Sequence, residues 1–213
     1  MKKNIQNALD SWPNSFIKDT DLAKIIEKSD DARYSFVKRA LKANKLIRIR
    51  KGLYLIDSKT QQKLPDEFEL ATLIYQPSII SLESALSYHG LIPEAVYTTT
   101  CVSPKRAQEF KTPIGIFKYT RVPTQDFYCE VKRIKTETGV IFIAEPWRAL
   151  ADLIYTKRKS WENLEQLEAD LRINDEALIN LDIKSIELLS QNYPSPRVRK
   201  QLKIFLKEII KKR

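Results

Sequence analysis

The feature that most constrains this chain is a change of hydrophobic period between residues 20 and 56. Leu22, Ile25 and Ile26 recur at helical spacing behind Thr20, whose hydroxyl can cap free backbone N–H groups. Ser29-Asp30-Asp31 supplies a turn and a second capping cluster, and acids at that place suit the positive end of a helix dipole. A second helix is predicted from near Asp31 to Asn44, with Phe36, Val37, Ala40 and Leu41 as its apolar stripe. The period then falls to two. Leu46-Ile47-Arg48-Ile49-Arg50 alternates apolar with basic, which reads as a strand with one buried and one charged face. Lys51-Gly52 turns the chain and Leu53-Tyr54-Leu55-Ile56 returns as the second strand of a hairpin. Helix, helix and basic hairpin in this order predict a winged helix-turn-helix over residues 1–64.

The residues left off the apolar stripe give that unit a candidate chemistry. Arg33, Tyr34, Ser35, Lys38, Arg39 and Lys42 fall on the open faces of the second helix. Arg and Lys reach guanine edges or phosphates, and Ser and Tyr hydrogen-bond phosphate oxygens. Lys45, Arg48, Arg50 and Lys51 follow on the hairpin, where they can hold the adjacent backbone while the helix occupies a groove. Taken singly, each basic run reads more simply as a solvated surface. Their order favours double-stranded DNA as the partner. Charge is distributed accordingly: residues 1–65 hold 15 basic and 7 acidic side chains, residues 66–196 hold 14 and 19, and residues 197–213 hold 8 and 1. The acidic middle argues against a protein that coats nucleic acid along its whole length.

Leu64-Pro65 reads as a linker into a second domain, residues 65–213, of α+β class. Phe68, Ala71, Ile74 and Tyr75 mark its first helix. Ser81 is placed to cap a short helix, Leu82 to His89, that Gly90 stops. Val96–Val102, Ile114–Val122, Phe127–Lys135 and Val140–Ala144 are strand-like and predict a small, mostly antiparallel sheet. Helices follow: one through Ala149, Leu150, Leu153 and Ile154, one through Trp161, Leu164, Leu167 and Leu171 behind Ser160, and a basic amphipathic helix after Ser195-Pro196. The last reads as a packed terminal helix with a solvated face. A second DNA contact or a dock for an acidic partner are its alternatives, with an anionic membrane surface behind both.

Several classes of activity find no support. Cys101 and Cys129 lie far from any second thiol at metal-ligand spacing and read as free buried thiols of a reducing compartment. The single histidine, His89, cannot build a zinc cage and sits where a helix ends. No phosphate-binding glycine loop, nucleophile elbow or paired-acid metal motif occurs, so neither a catalytic site nor a cofactor is expected. No apolar run approaches the roughly 20 residues of a membrane helix, and the first residues do not form a signal-peptide core, so a cytoplasmic protein is expected.

Three stretches resemble the AbiEi-type antitoxins of bacterial abortive-infection, or type IV, toxin-antitoxin systems. They are Lys45-Leu46-Ile47-Arg48-Ile49-Arg50-Lys51-Gly52-Leu53-Tyr54, then Ser84-Ala85-Leu86-Ser87-Tyr88-His89-Gly90-Leu91, then Ile143-Ala144-Glu145-Pro146-Trp147-Arg148-Ala149-Leu150-Ala151-Asp152-Leu153-Ile154-Tyr155, in the family's order. The resemblance implies a winged helix that binds inverted repeats in its own promoter. It also implies a C-terminal domain that counteracts a nucleotidyltransferase-like toxin. The alternatives are a stand-alone winged-helix regulator and a DNA-targeted nuclease or nucleotidyltransferase, whose candidate acids are Glu67, Glu69, Asp152 and Asp170.

Overall fold

The computed structural model describes residues 9, 12–26, 29–57, 66–93, 97–136 and 139–213. The N-terminal part begins with a short strand β1 (Phe16–Lys18), followed by helices α1 (Asp19–Ile26) and α2 (Asp30–Lys42) and a hairpin of β2 (Leu46–Arg50) and β3 (Leu53–Ile56). Ser29 occupies the N-cap of α2, its hydroxyl accepting from Ala32 N at 3.4 Å. Gly52 turns the hairpin at φ +78°, a region open to glycine, and its carbonyl accepts from Asp19 N at 3.0 Å. The three strands pair antiparallel in the order β1-β3-β2. Leu22, Ile26, Val37, Ala40, Leu46, Tyr54 and Ile56 form one core under the helices, joined by Leu9 and Ile17.

The hairpin departs from the expected single buried face. Arg48 stands opposite Tyr54 and Arg50 opposite Leu53, so Ile49 is an extra residue between them, a bulge. Leu46, Tyr54 and Ile56 point to the helices, whereas Ile49, Leu53 and Leu55 belong to the core of the rest of the chain. Both faces of this sheet are therefore covered. That is why β3 is buried along its length and shows no alternation of apolar with polar residues.

The boundary placed at Leu64-Pro65 lies outside the described residues. Beyond it, α3 (Glu67–Ile74) is capped by Asp66, whose carboxylate accepts from Phe68 N at 2.8 Å and Glu69 N at 3.2 Å. The strands β4 (Ile79–Ile80), β5 (Thr98–Ser103), β6 (Gln108–Thr112), β7 (Gly115–Arg121), β8 (Val131–Lys135) and β9 (Val140–Ala144) form a sheet ordered β6-β7-β5-β4-β9-β8. Three pairings are antiparallel, while β4 with β9 and β5 with β7 run parallel. A short α4 (Leu82–Tyr88) lies between β4 and β5. The chain finishes in α5 (Pro146–Lys157), α6 (Leu164–Leu171), α7 (Asp175–Ile179), α8 (Ile183–Asn192) and α9 (Pro196–Lys212). The outcome is a mixed α and β molecule with a modest sheet and C-terminal helices, as the period changes require.

Some elements differ from expectation for physical reasons. The strand expected from Phe127 begins only at Val131. Arg148 Nη1 donates to the carbonyls of Phe127 (2.9 Å) and Cys129 (2.7 Å), and Asp126 and Glu130 take positive φ, so this stretch forms turns around a guanidinium. Ser81 does stand at the N-cap of α4, yet its hydroxyl makes no cap bond and donates instead to Asp152 at 2.8 Å. Trp161 lies before α6 rather than in it, because Asn163 caps that helix by accepting from Gln166 N at 2.9 Å. The strand β6 has no counterpart among the expected elements: it is a polar edge strand without an apolar period.

Candidate nucleic-acid interface

The exposed surface of α2 and the neighbouring hairpin carries the largest share of the candidate residues. The buried stripe of α2 runs through Val37 and Ala40, which turns Tyr34, Ser35, Lys38, Arg39 and Lys42 to solvent. Tyr34 is 69 % exposed, unusual for so large a ring. Beside it, a cleft of about 480 Å³ lies between helix and hairpin, lined by Tyr34, Val37, Lys38 and Leu41 on one side and Arg48 and Tyr54 on the other. The structure thus brings Arg33, Tyr34, Lys38 and Arg48 together. Ser35, Arg39 and Lys42 are on the same helix but do not line the cleft.

Among the described residues, the side chains of Lys38, Arg39, Lys42, Arg48 and Lys51 make no hydrogen bond or ion pair with the protein. Five cations without partners on one helix and its adjacent hairpin give a surface that attracts anions, with the guanidiniums able to grip phosphate or guanine in a fork. Lys45 is exposed where α2 gives way to β2 and has a protein partner of its own.

Two other candidates are drawn inward. Arg33 bridges the helices, with Nε 3.3 Å from Asp19 and Nη1 2.9 Å from Asp30. Arg50 is half-buried on the side of the hairpin facing the rest of the chain, and its Nη1 donates to the carbonyl of Lys51 at 3.0 Å. Both fix geometry where they stand. Sequence reasoning also passed over Asp19, Asp30 and Asp31 as cleft-lining residues. Asp19 at the start of α1 and Asp30 and Asp31 at the start of α2 make that end of the cleft repel anions and shift the attractive surface towards Lys38, Lys42 and the hairpin. For Asp30 and Asp31 the signal lies in the capping cluster itself, since acids in the first turn point out at the helix end.

The acids that would serve an enzyme are engaged elsewhere. Asp152 is fully buried and held by Arg148, Ser81 and Tyr193. Glu69 is 2 % exposed and accepts from Thr136 Oγ1 at 3.0 Å, while Glu67 accepts from Thr99 Oγ1. Asp170 pairs with Lys159 at 2.6 Å. Among the described residues no three His, Cys, Asp or Glu side chains gather as metal ligands. His89 caps α4, with Nε2 2.9 Å from the carbonyl of Ala144.

Among the described residues no helix is long and apolar enough to cross a membrane. Compared with known proteins, the chain matches no family model and no curated sequence.

Proposed function

We propose that this chain is a sequence-specific DNA-binding regulator whose N-terminal part works as a winged helix. In this reading α2 enters the major groove, with Tyr34, Lys38, Arg39 and Lys42 at its outer surface, and Arg48 and Lys51 of the hairpin hold the adjacent backbone. The observation that carries the reading is the set of five unpartnered cations on α2 and the hairpin, with Lys38 and Arg48 flanking one cleft. The order strand, helix, helix, hairpin also agrees with it. Occupying a promoter is sufficient to repress it, so no catalysis is required.

The resemblance of residues 45–54, 84–91 and 143–155 to AbiEi-type antitoxins supports a narrower version. There the DNA is an inverted repeat in the chain's own promoter, and the larger part counteracts a nucleotidyltransferase-like toxin. An inverted repeat needs two chains per site. A stand-alone regulator shares the DNA half and lacks the toxin.

A pair of substitutions tests the division of labour. Arg39→Ala is expected to relax base preference, while Lys51→Ala weakens binding about equally on all sequences. Equal losses of preference from both would remove the distinction between groove and backbone contacts. Growth rescue upon co-expression with a toxin gene encoded beside this one tests the narrower version.

A further inference from the structure

The last helix, α9, has two unlike sides. Val198, Leu202, Phe205 and Ile209 are buried in the core, where α9 packs on α8 and α5. Lys200, Lys203, Lys207 and Lys211 are exposed, and among the described residues none of the four makes a hydrogen bond or ion pair. The other cations of the segment are engaged. Arg197 donates to Ile154 O at 2.9 Å, Arg199 to Tyr193 O at 2.7 Å and Arg213 to Leu181 O at 2.6 Å, while Lys212 pairs with Asp175 at 2.6 Å. The one acid of the helix, Glu208, accepts from Leu164 N at 2.8 Å. At helical geometry the four free lysines fall within a band of about 80° and extend over roughly 16 Å.

We infer that this lysine row is a second nucleic-acid contact, one that holds the phosphate backbone of duplex DNA without reading bases. It rests on the DNA-binding reading above for its choice of ligand and extends that reading to the opposite end of the chain. The row is distinct from the surface of α2 and the hairpin: α9 packs on α8 and α5, whereas β2 of the hairpin approaches the edge strand β6. Three features select a phosphate backbone. The charge is of one sign and evenly spaced, and over about 16 Å one DNA strand presents roughly five phosphates at about 3.4 Å of rise each. The apolar side of α9 is already buried, so the helix has nothing to insert into a bilayer. Ile210, 55 % exposed, is the one exposed large apolar side chain of the helix, which leaves the row without the aromatic and aliphatic anchors that dominate protein interfaces.

The test compares the full-length chain with a variant in which Lys200, Lys203, Lys207 and Lys211 are all replaced by Gln. Each is titrated at several salt concentrations against duplex DNA of scrambled sequence and against the chain's upstream DNA. The expected result is a slope of log K on log[salt] shallower by about 3.6, at about 0.9 for each phosphate that the variant no longer neutralises, with the preference for upstream over scrambled DNA unchanged. Replacing the same four by Arg should preserve the slope. Two control measurements keep the outcome specific: a variant with Lys132, Arg133 and Lys135 of β8 changed to Gln, and binding to phosphatidylserine vesicles. An unchanged slope in the α9 variant overturns the proposal, as does equal flattening in the β8 variant. Loss of vesicle binding with the DNA slope intact overturns it in favour of a lipid surface. A failure of the regulator reading shows differently, as absence of preference for upstream DNA, and leaves the slope comparison valid.

Discussion

The guanidinium of Arg148 lies alongside the carboxylate of Asp152, with Nε 3.0 Å and 3.1 Å from its two oxygens and both side chains buried. Burial lowers the pKa of Arg148, and the Asp152 carboxylate, with Tyr193 and Cys129 acting in the same direction, more than offsets it, so the arginine stays charged. Asp152 also accepts from Ser81 Oγ at 2.8 Å and Tyr193 OH at 2.9 Å. One pair therefore ties α5 to the start of α4, the end of α8 and the turns before β8. Arg148→Leu leaves a buried carboxylate without its cation and is expected to cost about 3–5 kcal/mol, read from urea unfolding. A loss below about 1 kcal/mol would assign the pair no structural weight.

Ile49 lies on β2 but packs in the core of the larger part. Ile49→Ala is expected to cost about 2–5 kcal/mol. Because the residue joins the two cores, the unfolding midpoints followed by Trp12 and by Trp147 should fall together in variants keeping one tryptophan each. A shift at Trp12 with none at Trp147 would show that the sheet's second face contributes little.

Asp170 is a second ionic test, with a defined sign. Its hydrogen bond from Lys159 Nζ, assisted by Trp161 Nε1 at 3.2 Å, holds the carboxyl below its ordinary pKa. A depressed folded value contributes stability above the ordinary carboxylate range, near about 3.9, and loses it as pH falls through the folded value. Asp170→Asn should therefore destabilise at neutral pH and become indistinguishable from the wild type in strong acid. A difference that stays constant over the whole range would contradict the assignment.

The thiols offer a check on packing. Burial pushes the Cys101 thiol up, with Glu67 adding to the effect, and burial also raises the half-buried Cys129, with Glu130 behind it. Thiols held as thiols are poor nucleophiles. Iodoacetamide at mildly alkaline pH is expected to label Cys129 slowly and Cys101 later still, and both at once in urea. Rapid labelling of Cys101 in the native protein, followed by mass spectrometry, would contradict its burial.

Much of this architecture was legible in the sequence where period and caps agreed. The Ser29 cap and the stripe through Val37 and Ala40 placed the start of α2 within one residue and its end within two, and the alternation after Lys45 located the hairpin. What escaped depends on partners distant in sequence. Nothing local shows that Ile49, Leu53 and Leu55 meet a second core, or that the Ser81 hydroxyl is taken by Asp152, 71 positions away. Arg33 and Arg50 look like any other cation in a basic run, and only the folded chain sets Arg33 between Asp19 and Asp30. Tyr34, Lys38 and Arg48 were recognisable by type, but their meeting across one cleft required the fold.

The central claim is that the surface of α2 and the hairpin reads DNA sequence. Its most direct test is a titration of the purified chain against its own upstream DNA and against a scrambled duplex at two salt concentrations. The expected result is salt-sensitive binding that favours the upstream DNA by at least about a hundredfold, on the order of 3 kcal/mol. Equal affinity for the two duplexes would contradict the claim and leave the five free cations as a surface that attracts polyanions without reading them.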